Sequence, residues 1–113
     1  MERGEIHWVD FGPPVDNRQA GKRPAIILQN NALNRNPRYI LTIVLPLTSR
    51  GSKGPSYAEI QPDGRNGLTM TSWSIGNQPT IAAKRQVIGF IGDLAPHDLE
   101  RVFRGLDLAL GRL

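Results

Sequence analysis

The sequence predicts a mostly-β fold, a small barrel or sandwich with one helix at its C-terminal end. Three observations carry this. Twelve glycines and nine prolines interrupt a chain of 113 residues, the punctuation of several short strands joined by turns. The apolar stretches between them are short and β-branched, most densely at Ile40, Thr42, Ile43 and Val44. After Pro96 the period changes. Leu99, Val102, Phe103, Leu106 and Leu110 recur at steps of three and four, opposite Glu100, Arg101, Arg104 and Asp107, which predicts a helix over about 96–111.

The length suits one domain, 1–113, with a modest core. Fourteen Lys+Arg against ten Asp+Glu leave a net charge of +4, a mild bias toward polyanionic partners. With no cysteine, disulfides and thiolate metal sites are excluded. The opening MERGEIHWVDF has no signal-peptide core, and the apolar run 39–47 is interrupted by Thr42 and Pro46. It is too short to cross a bilayer. The expectation is a cytoplasmic protein with no membrane partner.

Residues 4–11 alternate, with Ile6, Trp8 and Asp10 on one side and His7, Val9 and Phe11 on the other, as a strand does. His7 reads as a packed strand residue rather than a catalyst. Residues 12–22 hold two prolines and two glycines around Asp16, Asn17, Arg18 and Gln19. They read as a long exposed loop, a kind that is usually functional or mobile in compact domains. Lys22 and Arg23 follow, then Pro24 and a strand over 25–29. Pro24, without an N–H, is expected at the strand's start, and it pushes Arg23 to an extended conformation. A guanidinium at a strand mouth is a good phosphate or carboxylate ligand; a solvated basic turn is the plainer alternative.

Residues 30–36, rich in asparagine, predict a turn with at most one turn of helix. Residues 38–47 do not alternate and are expected to be the central strand, buried on both faces. That strand delivers Thr48 and Ser49 with Arg50 and Lys53 beside glycines, hydroxyls and cations suited to a phosphodiester backbone or to a solubilising loop. Further strands are expected over 56–61, 68–75 (around Met70 and Trp73), 81–83 and 87–91, with a turn at 62–67 and a loop at 76–80. Lys84 and Arg85 are expected at the surface. Pro96 suits a first helical turn, Ala95 offers no cap, and His97 and Asp98 are expected to be solvated. Gly105 inside the helix costs about 1 kcal/mol relative to alanine, which implies close packing there. The helix is expected to plug one end of the barrel.

The ten acids are scattered, and His7 and His97 have no ligand-spaced neighbours. Neither a metal site, a carboxylate pair nor a phosphate-binding glycine motif is legible, and no cofactor is expected. Arginine, hydroxyls and polar loops remain. They suit metal-free cleavage of RNA, whose own 2′-OH is the nucleophile, leaving the protein to orient the phosphate and stabilise charge.

The blocks RGEIHWVDFGPP, QAGKRPAIILQNNALN and VLPLTS, with the terminal LDLALGRL, together resemble the MazF/PemK/Kid toxins of bacterial toxin–antitoxin pairs. The likeness covers nearly the whole chain in order. It implies an SH3-like β-barrel with a C-terminal helix, a homodimer, and a ribosome-independent endoribonuclease that cuts single-stranded RNA to 2′,3′-cyclic phosphate and 5′-hydroxyl ends. It also implies a cognate antitoxin that occludes the RNA channel, and operator DNA bound by the toxin–antitoxin complex. The family's catalytic arginine falls on Arg23, where it would stabilise the phosphorane and serve in proton transfer. Its threonine falls on Thr48, where it would hold a non-bridging oxygen. RNA contacts are expected from Asn17, Arg18, Gln19, Lys22, Ser49, Arg50, Lys53, Asn77 and Gln78. Two departures stand out. Asn17 replaces a histidine of some members, and Asn77-Gln78-Pro79-Thr80 lacks the acid and arginine that members commonly carry there. A gyrase-poison-like toxin on the same fold and a cleavage-deficient RNA-binding relative are the alternatives.

Overall fold

The computed structural model describes residues 1–16, 19–51 and 53–113. The elements follow in the order β1 (Glu5–Asp10), β2 (Lys22–Ile27), α1 (Asn31–Arg35), β3 (Leu41–Thr48), β4 (Tyr57–Ile60), β5 (Ser72–Ile75), β6 (Thr80–Ala83), β7 (Val87–Asp93) and α2 (Pro96–Ala109). A 3₁₀ turn, Lys84–Gln86, joins β6 to β7. All described pairings are antiparallel, along the path β4-β5-β3-β2-β1-β7 with β6 also on β3. The expected mostly-β fold with a terminal helix is therefore present. Among the described residues β4 and β7 do not pair, and α2 packs on β4 and β5.

Alternation along the strands divides the apolar residues between two cores. Ile6, Ile26, Leu45, Leu47 and Ile60 pack with Val102 and Leu106 of α2. Val9, Ala25, Ile27, Val44 and Ala82 form the other, under Met1, Phe11 and Val87. Where α1 meets β3 the buried polar groups satisfy one another, as burial requires. Gln29 Nε2 donates to Asn34 Oδ1 at 3.1 Å and to the Leu41 carbonyl at 2.9 Å. Asn34 Nδ2 donates to the Gln29 carbonyl at 2.7 Å, and Thr42 Oγ1 to Asn34 Oδ1 at 3.0 Å. The asparagine-rich turn is the single helical turn expected, with Asn30 as its cap.

Several expectations are corrected. β2 begins at Lys22, so Pro24 is its third residue. It is tolerated there because β3 joins β2 only from Ala25 onward, leaving Pro24 beside β1 alone. β3 starts at Leu41 rather than 38, and its first half alternates: Leu41 and Ile43 are exposed, Thr42 and Val44 buried. Its second half is buried throughout, up to half-buried Thr48, because only there does the α2-side core reach it. β5 is confined to Ser72–Ile75, and β7 extends to Asp93. Lys84 is half-buried, with Nζ donating to the Leu33 and Asn36 carbonyls at the end of α1. Asp98 is buried and pairs with Arg101 at 3.1 Å, while Leu110 lies exposed past the end of α2. Among the described residues no helix is long and apolar enough to cross a membrane.

Candidate functional site

The loop between β1 and β2 is pinched shut at its base. The Gly21 N–H donates to the Gly12 carbonyl at 2.7 Å, and the Phe11 N–H to the Gly21 carbonyl at 2.9 Å. Both glycines have positive φ, 78° and 70°, which a side chain would oppose. The pinch delivers Lys22 and Arg23 directly into β2, opposite Asp10 and Val9 of β1. Both cations are exposed. Arg23 Nε donates to the Ala20 carbonyl at 3.1 Å, and among the described residues its two terminal nitrogens hold no hydrogen bond. The fork is thus steadied at its base and open at its tip.

Thr48 ends β3, and with Lys22, Arg23 and Ser49 it lines a cavity of about 620 Å³. Its Oγ1 accepts the Arg50 N–H at 3.1 Å, so the hydroxyl proton remains available to a ligand oxygen. Trp8, Met70, Ser72 and Phe90 complete the walls, with Leu47, Leu68 and Ile91 apolar between them. The described lining contains two cations and neither a carboxylate nor an imidazole, so its field favours an anion.

The expected RNA-contacting residues divide. Lys22 and Ser49 share the cavity with Arg23 and Thr48. Gln19 and Gln78 meet at 3.1 Å in a second cavity of about 360 Å³. Arg50, Lys53 and Asn77 are exposed outside both linings. Asn17 and Arg18 lie outside the described residues. The wall residues Trp8, Phe90 and Met70 were not foreseen. The one legible signal was the side Trp8 shares with Ile6; what it lacks is cover, being 44% exposed where Ile6 is 0%.

His7 stands apart from this chemistry. Its Nε2 lies 2.9 Å from Glu5 Oε1, and its ring meets Phe90 edge-on at 5.4 Å.

Known proteins resemble the chain along nearly its whole length. The chain is 24% identical over 110 residues to the endoribonuclease EndoA of Bacillus subtilis, covering 97% of this chain and 94% of that one. It is 26% identical over 112 residues to the endoribonuclease toxin MazF of Escherichia coli K12, with the same coverage. Among solved structures, a mycobacterial endoribonuclease in complex with its cognate antitoxin superposes with a TM-score of 0.80 at 22% identity, covering 98% of this chain and 95% of that one. MazF of Deinococcus radiodurans superposes at 0.79 and 22%, covering 98% and 96%. The family model describing the PemK-like, MazF-like toxins of type II toxin–antitoxin systems matches residues 2–110, and the chain belongs to that family.

Proposed function

We propose that this chain is the toxin of a toxin–antitoxin pair and cuts single-stranded RNA in the cytoplasm without a metal. The observation that carries the reading is the shared cavity of Arg23 and Thr48, cationic and free of described carboxylates. In the reaction the 2′-oxygen attacks the adjacent phosphorus and its proton passes to water. The bond to the 5′-oxygen breaks, and that oxygen takes a proton from water, leaving a 2′,3′-cyclic phosphate and a 5′-hydroxyl. Arg23 offers its open fork to the equatorial oxygens as charge builds, and Thr48 donates to a non-bridging oxygen. Both act most strongly in the transition state, which is where stabilisation becomes rate. Lys22 adds a second positive charge at the same edge. Gln19 and Gln78, neutral amides with donors and acceptors, suit base edges.

Two partners belong to the reading. The mycobacterial structure holds a cognate antitoxin, and an antitoxin laid over this cleft would silence it. A second copy of the chain is the natural cover for the apolar strip of Tyr39, Ile40, Leu41, Ile43 and Ile81, which is exposed in the single chain.

The test is incubation of the purified protein in EDTA with a long single-stranded RNA, mapping the ends by primer extension. Discrete cuts are expected, and Arg23→Ala or Thr48→Ala should slow them about 10²- to 10³-fold while remaining folded. Intact RNA from the folded wild type would reject the nuclease and favour a toxin acting on a protein, or an RNA binder without cleavage.

A further inference from the structure

We propose that Trp8 is the stacking platform of the cleft, on which an unpaired RNA base flanking the reacting phosphate lies; this rests on the nuclease reading above. Trp8 faces the same way along β1 as Ile6 but lies beyond the core, and 44% of it is open to solvent. Its cross-strand neighbours are Pro24 on β2 and Gly89 on β7. Neither has a long side chain to lay over the ring. A Cβ at position 89 would stand 3.6 Å from Trp8 Cδ1, so any larger residue would begin to cover the indole. Glycine leaves that edge bare.

The setting selects the occupant. The ring shares its cavity with Arg23, Lys22 and Thr48, so whatever lies on it must bring negative charge to its neighbours. A single-stranded nucleotide does both, with a flat apolar base joined to a phosphate, whereas a duplex keeps its bases stacked on one another. Every base has a face to stack, so Trp8 contributes affinity and positioning and leaves the choice of sequence to polar groups.

The experiment uses the full chain with Trp73→Phe, which makes Trp8 the sole tryptophan of the two. Its fluorescence is titrated with a single strand about a dozen nucleotides long spanning a mapped cut, with 2′-deoxy sugar at the cut and one abasic position moved along it. Quenching is expected with the intact strand and its loss at one abasic position. Trp8→Leu, which keeps apolar bulk without the ring, should weaken binding of the intact strand about tenfold and show no further loss at that abasic position. Gly89→Val should weaken binding with Trp8 still present. Equal affinity of Trp8→Leu and wild type, or abasic losses identical in both at every position, would overturn the proposal while RNA cleavage stood. If no cut is found, oligouridylate of the same length replaces the probe. Quenching by it, absent with its fully abasic counterpart, would then keep the platform and reject the nuclease; no quenching would reject both.

Discussion

At the scale of residues, Glu5 shows how a charge is held in the first strand. Burial pushes its carboxyl pKa up, but more acts the other way. The hydrogen bond with His7, the Glu2 N–H at 2.9 Å, and attraction from His7 and the terminal amine together hold it below its ordinary 4.5. A carboxylate that is more acidic folded than unfolded contributes stability above its unfolded value, and loses that contribution as pH falls through the folded value. Glu5→Gln should therefore melt about a few degrees lower than wild type at neutral pH, with the gap closing below the unfolded value of 4.5. Thermal melts between about pH 7 and pH 3 check this; parallel curves would show that Glu5 gains nothing from its neighbours. The pair also bears on the site, because the His7 ring packs against Phe90, a wall of the cleft.

At the scale of elements, α2 meets the sheet through two glycines that interlock. A Cβ on Gly105 would overlap the Ser56 carbonyl, and one on Gly76 the Gly105 carbonyl. The Ser56 carbonyl is itself the acceptor of the Gly76 N–H at 2.9 Å. Gly105→Ala removes a helix penalty of about 1 kcal/mol yet forces backbone apart, and overpacking of that kind costs about 1–3 kcal/mol. The expected net result is a melting temperature about 5 °C lower, read by circular dichroism. A higher melting temperature would show that propensity wins and that α2 can slide. This contact was legible in the sequence, as were the stripe of α2, the single turn of α1 and the convergence of Arg23 with Thr48. Each depends on residues close in sequence or on a motif. What was not legible depends on neighbours distant in sequence. Pro24 sits inside β2 because β3 arrives one residue later. Leu41 and Ile43 are exposed because the α2-side core stops at Leu45. Asp98 is buried where its helix partner Arg101 reaches across to the Glu59 carbonyl of β4. Trp8 faces the core side of β1 but ends in the cleft for want of anything above it.

At the scale of the molecule, the surface carries more than one chain of this size needs. Its accessible area is 6838 Å², against about 6,200 Å² for a folded monomer of its mass. Part of the excess is the apolar strip on β3 and β6, where Ile43 (39% exposed) and Ile81 (69%) stand directly opposite each other. Cross-strand apolar pairs of this kind stabilise a sheet when something covers them, and left bare they invite association. A second copy meeting this face would bury both pairs while leaving the 620 Å³ cleft, whose described lining comes from one chain, intact in each protomer. Sedimentation should accordingly find wild type at about twice the 12.5 kDa chain mass. The double variant Ile43→Asp and Ile81→Asp should sediment at the chain mass, because burying two carboxylates against two others is prohibitive. A wild type that sediments as a monomer would instead leave the strip to the antitoxin. In that case the double variant should lose antitoxin binding in a pull-down and keep cutting RNA when both proteins are present.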